Sequence, residues 1–150
     1  MRIVSISENQ QVEKRIAITP EIAKKYIALG FEVLISHNYG NHLGIKVEEF
    51  LKLGVKTSKD DKEIISNGNI IAQVGLFSDD LQNLLKENQN LIGSLNPFLN
   101  KIKIDNLIKK KVNIFSLELL PRITRAQSMD ILSSQANLAG YRAVIESFAT

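Results

Sequence analysis

The segment TPEIAKKYIALGFEVLI, residues 19–35, determines the class of fold that this sequence can adopt. Thr19 is suited to cap a helix whose first position is Pro20, where the missing amide hydrogen costs nothing. Apolar residues then recur at helical spacing as far as Gly30, a residue type that commonly lets the chain turn left-handed after a helix. A short apolar run follows at residues 31–35. The segment therefore predicts a helix that leads directly into a strand.

The same alternation of short apolar runs and amphipathic segments continues outward from this unit. It predicts six strands, at residues 2–6, 31–35, near 55, 69–74, 91–94 and 112–116. It predicts helices from residue 20 to the stop at Gly30, then at 47–53, 60–66, 79–86 and 104–110, with a long last helix from about 128 to the end. This pattern is typical of an α/β fold with a Rossmann-like or flavodoxin-like parallel sheet and helices on both faces. We expect one domain, because 150 residues that are 44% hydrophobic are enough for a single core.

Composition excludes several classes of protein and site. The 19 basic and 16 acidic side chains nearly cancel and are spread along the chain, so no nucleic-acid partner is expected. The absence of cysteine excludes disulfides and thiolate metal sites. No apolar stretch approaches the roughly 18 to 20 residues that a bilayer span requires, and the start of the chain does not resemble a signal peptide. These features predict a soluble cytoplasmic protein.

Common catalytic and nucleotide-binding motifs are missing from the sequence. It contains no G-x-G-x-x-G, P-loop, H-E-x-x-H or G-x-S-x-G pattern, and its glycines are better suited to helix ends and turns than to a pyrophosphate cradle. His37 and His42 lie in a run of turn-forming residues, where an ordinary surface loop is favoured over a metal or catalytic role. We predict no metal site. Arg15 could meet an anionic substrate or a ligand phosphate, but an ion pair in a solvated loop that includes Glu13 explains the same residues and is favoured.

The polar stretch at residues 121–141 is the strongest candidate for a functional site. Asp130, Ser133 and Asn137 are spaced to share one face of a helix, and a carboxylate with a hydroxyl one turn away could accept from and donate to one planar amide, such as a nicotinamide carboxamide. Arg122, on the preceding loop, adds a charged donor.

The same spacing has a structural interpretation. Ser128 could cap the helix while Asp130 favours the helix dipole, which would leave a solvated polar face without a ligand. Spacing by itself does not separate this interpretation from the amide-binding one.

Two longer segments resemble a known family. The run PRITRAQSMDILSSQANLAGYRAV, residues 121–144, closely resembles the signature of the NAD(H)-binding domain of proton-translocating NAD(P) transhydrogenases, and EKRIAITPEIAKKYIALGFEV, residues 13–33, resembles the opening of that domain. In the family, a loop reaches the nicotinamide end of NAD(H) and the place where NADP(H) docks from a partner domain. The resemblance assigns catalytic roles to Arg122, Gln127 and Asp130. It assigns cofactor binding to the same residues and to Ser133.

The resemblance also implies an activity and its partners. These are direct hydride transfer between NAD(H) and NADP(H), coupled to proton translocation, with NADP(H) held on a partner domain and no general base in this chain. Membrane-embedded and NADP(H)-binding components, a homodimer, and a cytoplasmic location at the inner membrane through partner subunits are implied as well. Residues 1–150 correspond to the N-terminal subdomain. The family's second, glycine-rich nucleotide-binding subdomain is absent from this sequence, so the isolated chain is expected to be inactive.

Alanine dehydrogenases begin in a similar way and provide an alternative identity. They hold their substrate with an arginine, a lysine and a histidine; this sequence keeps Arg15, but has Gln73 in place of the lysine and Asn96 in place of the histidine. A neutral amide supplies neither the charge nor the proton relay, so this activity is disfavoured. A noncatalytic truncated module is the remaining alternative.

Overall fold

The computed structural model describes residues 1–149, which form a sheet of six parallel strands with helices on both faces. The strands are β1 (Arg2–Ser5), β2 (Glu32–Ser36), β3 (Lys56–Ser58), β4 (Ile70–Ala72), β5 (Asn90–Gly93) and β6 (Asn113–Ser116). The helices are α1 (Pro20–Ala28), α2 (Val47–Lys52), α3 (Asp61–Asn67), α4 (Asp79–Gln82), α5 (Lys101–Lys109) and α6 (Ile131–Ala149). The predicted fold class is confirmed, including the long last helix. Its extension to residue 150 lies outside the described residues.

The strands are arranged in the order β3-β2-β1-β4-β5-β6, so the chain reverses its direction across the sheet at β1. Every pairing is parallel; Ile3, for example, is paired with Val33 of β2 on one side and Ile70 of β4 on the other. This is the order of the doubly wound nucleotide-binding sheet, in which ligands bind outside the carboxyl ends of the strands where the order reverses. The loops that follow β1 and β4 therefore meet at one crevice.

Alternating side chains of the strands enter two separate cores, one on each face of the sheet. Val4 of β1 packs with α3 and α5 in one core, and the neighbouring Ile3 packs with α1 and α2 in the other. This division follows from the period of two along a strand, which sends adjacent side chains to opposite faces. Both cores contain almost entirely aliphatic and aromatic residues, which explains the short apolar runs of the sequence.

Three helices differ from the prediction by three residues or more at one end, and the other three by one or two residues. α4 stops at Gln82 rather than residue 86, because the amides of residues 84 and 85 bond three residues back and carry Leu85 into the core. α5 begins at Lys101, three residues earlier than predicted. α6 begins at Ile131 rather than near residue 128, because a 3₁₀ turn at Thr124–Met129 comes first and Asp130 has an extended backbone.

A buried tyrosine fixes the loop between β1 and α1. The Tyr39 hydroxyl accepts a hydrogen bond from the Ile18 amide at 3.0 Å and lies 2.8 Å from the Ser5 hydroxyl. Tyr39 is 1% exposed, and its ring packs edge-on against Phe50. Because Ile18 is fully buried, its amide has no access to water and depends on this hydroxyl.

We expect Tyr39→Phe to lower the free energy of unfolding by about 1–3 kcal/mol, since a buried amide loses its partner. Tyr26→Phe is the matched control: Tyr26 also packs edge-on against a phenylalanine, but its hydroxyl makes no hydrogen bond within residues 1–149. Urea unfolding of both variants measures the difference. Equal losses would show that the Tyr39 hydroxyl does not support the loop.

Candidate functional site

The segment after β6 forms an ordered connection to α6. A 3₁₀ turn at Leu117–Leu119 is joined to the end of β5, because the Glu118 carboxylate accepts hydrogen bonds from the Leu95 and Asn96 amides. A second 3₁₀ turn, Thr124–Met129, is anchored by the buried side chain of Ala126. These attachments hold a polar loop above the carboxyl edge of the sheet.

This loop and the start of α6 enclose a cleft of about 320 Å³, here called the loop cleft. Its lining includes the four site residues predicted from the sequence: Arg122, Gln127, Asp130 and Ser133. Arg125 is close in sequence but does not line the cleft. The structure therefore brings the four predicted residues together at one place.

Asp130 caps α6 instead of lying within it. One carboxylate oxygen accepts hydrogen bonds from the Leu132 and Ser133 amides, both at 3.0 Å, and the other accepts from the Ser133 hydroxyl at 2.6 Å. The prediction that Asp130, Ser133 and Asn137 share a helical face is therefore wrong for Asp130, and Ser128 is not the cap. Aspartate is common at the cap position of a helix, because its side chain accepts hydrogen bonds from amides that the start of a helix leaves without partners.

The capping contacts keep Asp130 ionised. Its pKa is lowered from the ordinary aspartate value, first by the hydrogen bond from the Ser133 hydroxyl, then by the Ser133 amide, with the positive charge of Arg122 acting in the same direction. A carboxylate has more acceptor sites than these bonds use. Asp130 therefore remains able to accept a further hydrogen bond from a ligand.

Arg122 and Gln127 provide the unused donors of the loop cleft. Within residues 1–149 neither side chain makes a hydrogen bond or an ion pair. The cleft thus combines an ionised carboxylate with a guanidinium and a neutral amide. Such a set is suited to a planar polar group that both donates and accepts hydrogen bonds.

A second cleft, of about 460 Å³, lies on the other side of the start of α6 and is lined by Arg15, Gln135 and several apolar residues. Glu13 grips the Arg15 guanidinium through two bonds, Nε to Oε1 at 2.9 Å and Nη2 to Oε2 at 2.7 Å. The third guanidinium nitrogen, Nη1, donates to Gln135 Oε1 at 3.0 Å. The ion pair predicted for this loop is confirmed. The contact with Gln135 had no signal in the sequence, because the two residues are 120 positions apart.

Hydrogen bonds within the chain join the ends of β1 and β4, beside an open cleft of about 740 Å³ whose lining includes Ile6, Glu8 and Gly75. The buried amide of Gln73 donates to the Ile6 carbonyl at 2.9 Å and accepts from the Ile6 amide at 3.1 Å. Beside it, one oxygen of Glu8 accepts from the Val74 and Gly75 amides at 2.7 and 3.2 Å. Backbone amides at this edge are the groups that hold a pyrophosphate in dinucleotide-binding sheets. Here a carboxylate already occupies them.

Glu8 is a residue that no pattern in the sequence singles out. Burial raises the pKa of Glu8, and the two backbone hydrogen bonds from Val74 and Gly75 oppose that rise. Asn96, the other position of the alanine dehydrogenase comparison, has a left-handed backbone with φ of 47°. Its amide donates to Glu118, so this segment joins β5 to the loop after β6.

His37 and His42 lie between β2 and α2. His42 Nε2 lies 2.7 Å from the Lys14 carbonyl oxygen, so the segment after β2 contacts the loop that carries Arg15. Among residues 1–149, no three acidic or histidine side chains are grouped so as to hold a metal ion. In the same part of the chain, no helix combines the length and the apolar character that a membrane crossing requires.

Comparison with known proteins gives consistent matches. Residues 5–139 match the family model described as alanine dehydrogenase/PNT, N-terminal domain. The first part of NAD(P) transhydrogenase subunit alpha from Rickettsia prowazekii (strain Madrid E) is 42% identical over 150 residues, which cover 97% of this chain and 39% of that protein. The protein of the same name from Rhodospirillum rubrum is 37% identical, with the same two coverages. This chain therefore spans about two fifths of the length of these curated relatives.

Solved structures agree with these matches. The crystal structure of transhydrogenase from Sinorhizobium meliloti superposes with a TM-score of 0.87 at 36% identity, covering 96% of this chain and 43% of that one. An L-alanine dehydrogenase superposes with a TM-score of 0.73 at 17% identity, covering 79% of this chain and 32% of that one. The second likeness shows a shared fold alone.

We expect Ser133→Ala to raise the pKa of Asp130 toward its ordinary value, because the Ser133 hydroxyl is the largest cause of the lowering. Ser134→Ala is the matched control, since the Ser134 hydroxyl donates to backbone carbonyls and not to the carboxylate. The carboxyl carbon signal of Asp130, followed by NMR during an acid titration, gives the Asp130 pKa in each of the two variants. In the unsubstituted chain the cap should persist above the ordinary pKa and be lost as the pH falls through the lowered pKa. An unchanged pKa in Ser133→Ala would contradict the assigned hydrogen bond.

Proposed function

This chain belongs to the alanine dehydrogenase/PNT N-terminal domain family, and from that premise we propose that it supplies the nicotinamide-contacting loop of an NAD(P) transhydrogenase. It corresponds to the N-terminal part of an alpha subunit. The proposed enzyme transfers a hydride between NAD(H) and NADP(H) and couples this transfer to proton translocation across a membrane. NAD(H) contacts this chain, and NADP(H) is held by a partner domain.

The loop cleft is the observation that supports this assignment. A nicotinamide carboxamide has an oxygen that accepts and an amino group that donates hydrogen bonds. The cleft offers the ionised carboxylate of Asp130 as acceptor and the unpaired donors of Arg122 and Gln127. The donor set therefore fits an amide.

The residues of the loop cleft act by orientation and not by proton transfer. The bound cofactors supply both the hydride and the group that accepts it, so a general base is not required. Asp130 remains ionised and acts as a fixed acceptor, while Arg122 and Gln127 limit how an amide-bearing ring can turn. Holding reactants in one orientation is a large part of the catalysis of such a transfer.

The proposed function also implies a location and partner subunits for this chain. We place the chain at the cytoplasmic side of the inner membrane, attached through membrane-embedded and NADP(H)-binding subunits and assembled as a homodimer. The names of the relatives support the presence of partner components, because each relative is named as one part of one subunit. They also extend well beyond the length that this chain covers.

We expect Arg122→Ala to slow hydride transfer about 100-fold, because a loosely oriented reactant loses a factor of this size. The measurement requires this sequence joined to the remainder of an alpha subunit and mixed with the NADP(H)-binding component. Arg125→Ala, which removes an arginine of the same loop that does not line the cleft, should leave the rate unchanged. If Arg122→Ala transfers hydride as fast as Arg125→Ala, Arg122 and the loop cleft have no part in the mechanism.

We also expect the extended protein to show no oxidation of NADH that depends on pyruvate and ammonia. Where alanine dehydrogenases have a lysine, the Gln73 amide is buried and bonded at both ends to the backbone of Ile6. Gln73→Lys is the informative control, because it restores the positive charge of the lysine but removes the hydrogen bonds between the Gln73 amide and the backbone of Ile6. Pyruvate-dependent oxidation by the unsubstituted protein would support the alanine dehydrogenase alternative.

A further inference from the structure

The orientation of α6 depends on few attachments to the rest of the chain. Among the described residues of α6 none is buried, and Ile131 at its start is only half-buried. The capping bonds of Asp130 connect residues of the same segment and do not tie the helix to the sheet, whereas α6 does contact the 3₁₀ turn Leu117–Leu119. A polar contact from a distant part of the chain would further restrict the direction in which Asp130 and Ser133 point.

Arg15 makes such a contact. Its Nη1 donates to the side chain of Gln135, which lies two residues after Ser133 on the first turns of the helix. Because side chains on a helix move together, a bond at residue 135 restrains rotation of the whole first portion of α6 about its axis. Arg15 and Gln135 lie close to the loop cleft but do not line it.

The loop that carries Arg15 is itself fixed to the core. Glu13 holds two other nitrogens of the guanidinium, and His42 contacts the Lys14 carbonyl at 2.7 Å. Three residues further on, the Ile18 amide is bonded to the buried hydroxyl of Tyr39. A continuous series of contacts therefore runs from the core on the α1 side to α6.

We propose that Arg15 is a positioning residue: held by Glu13, it orients α6 through Gln135 and thereby sets the Asp130–Ser133 pair in the loop cleft. This inference rests on the proposed function for its catalytic consequence. This role differs from holding a substrate carboxylate, and three of the five N–H donors of the Arg15 guanidinium are already bonded within the chain.

The first test follows the helix in the 150-residue chain, where no activity is required. Amide hydrogen exchange at residues 131–137 should become about fivefold to tenfold faster in Arg15→Met and in Gln135→Leu, as expected for loss of a bond from a charged donor. The double variant should show no further increase, because both changes remove the same contact. Arg142→Met is the matched control, since this exposed arginine is paired with Glu146 on the same helix. Unchanged exchange in Arg15→Met, or additive effects, would overturn the proposal.

The second test measures hydride transfer in the assembled enzyme. Arg15→Met and Gln135→Leu should each lower kcat about tenfold and leave the KM for NADH unchanged, because the cofactor is bound but poorly oriented. A raised KM with unchanged kcat would indicate that Arg15 contacts the cofactor, and would refute a positioning role. If the unsubstituted assembly transfers no hydride, the proposed function fails, while the exchange experiment still decides whether Arg15 orients α6.

Discussion

β1 pairs in parallel with β2 on one side and with β4 on the other, and the remaining strands extend this arrangement in both directions. Because all six strands point the same way, every loop that follows a strand emerges at one edge of the sheet. The loops after β1, β4, β5 and β6 are consequently neighbours, although they are far apart in sequence. The position of the polar groups described above depends on this constraint.

At the reversal of strand order, where such sheets usually bind a ligand, hydrogen bonds within the chain use several of the polar groups beside an open cleft of about 740 Å³. Gln73 joins the ends of β1 and β4, and Glu8 accepts the two amides next to it. These bonds stabilise the central strands and use the donors that a phosphate would otherwise meet. Arg122 and Gln127, whose side chains have no hydrogen-bond partner among residues 1–149, lie further along the edge, in the loop before α6, where they line the loop cleft.

In the loop before α6, the Asp130 carboxylate both stabilises the start of the helix and takes part in the proposed chemistry. Asp130 satisfies amides at the start of α6, and the bonds that achieve this also keep its charge. The two interpretations that spacing left open, a capping residue and an amide-binding residue, are therefore compatible. The cap requires an acceptor at this position, and an ionised carboxylate is also able to accept from the amino group of a carboxamide.

The sequence by itself determined the strands, most helices and the fold class, because hydrophobic period, caps such as Thr19 and turn residues such as Gly30 act locally. Residue spacing and resemblance to a family further identified four of the residues that line the loop cleft, Arg122, Gln127, Asp130 and Ser133. Only the tertiary structure decided that Asp130 caps α6 and that Arg15 contacts Gln135, 120 residues away. Local patterns specify the elements, whereas contacts between distant residues depend on how the packed sheet and helices bring separate loops to one edge.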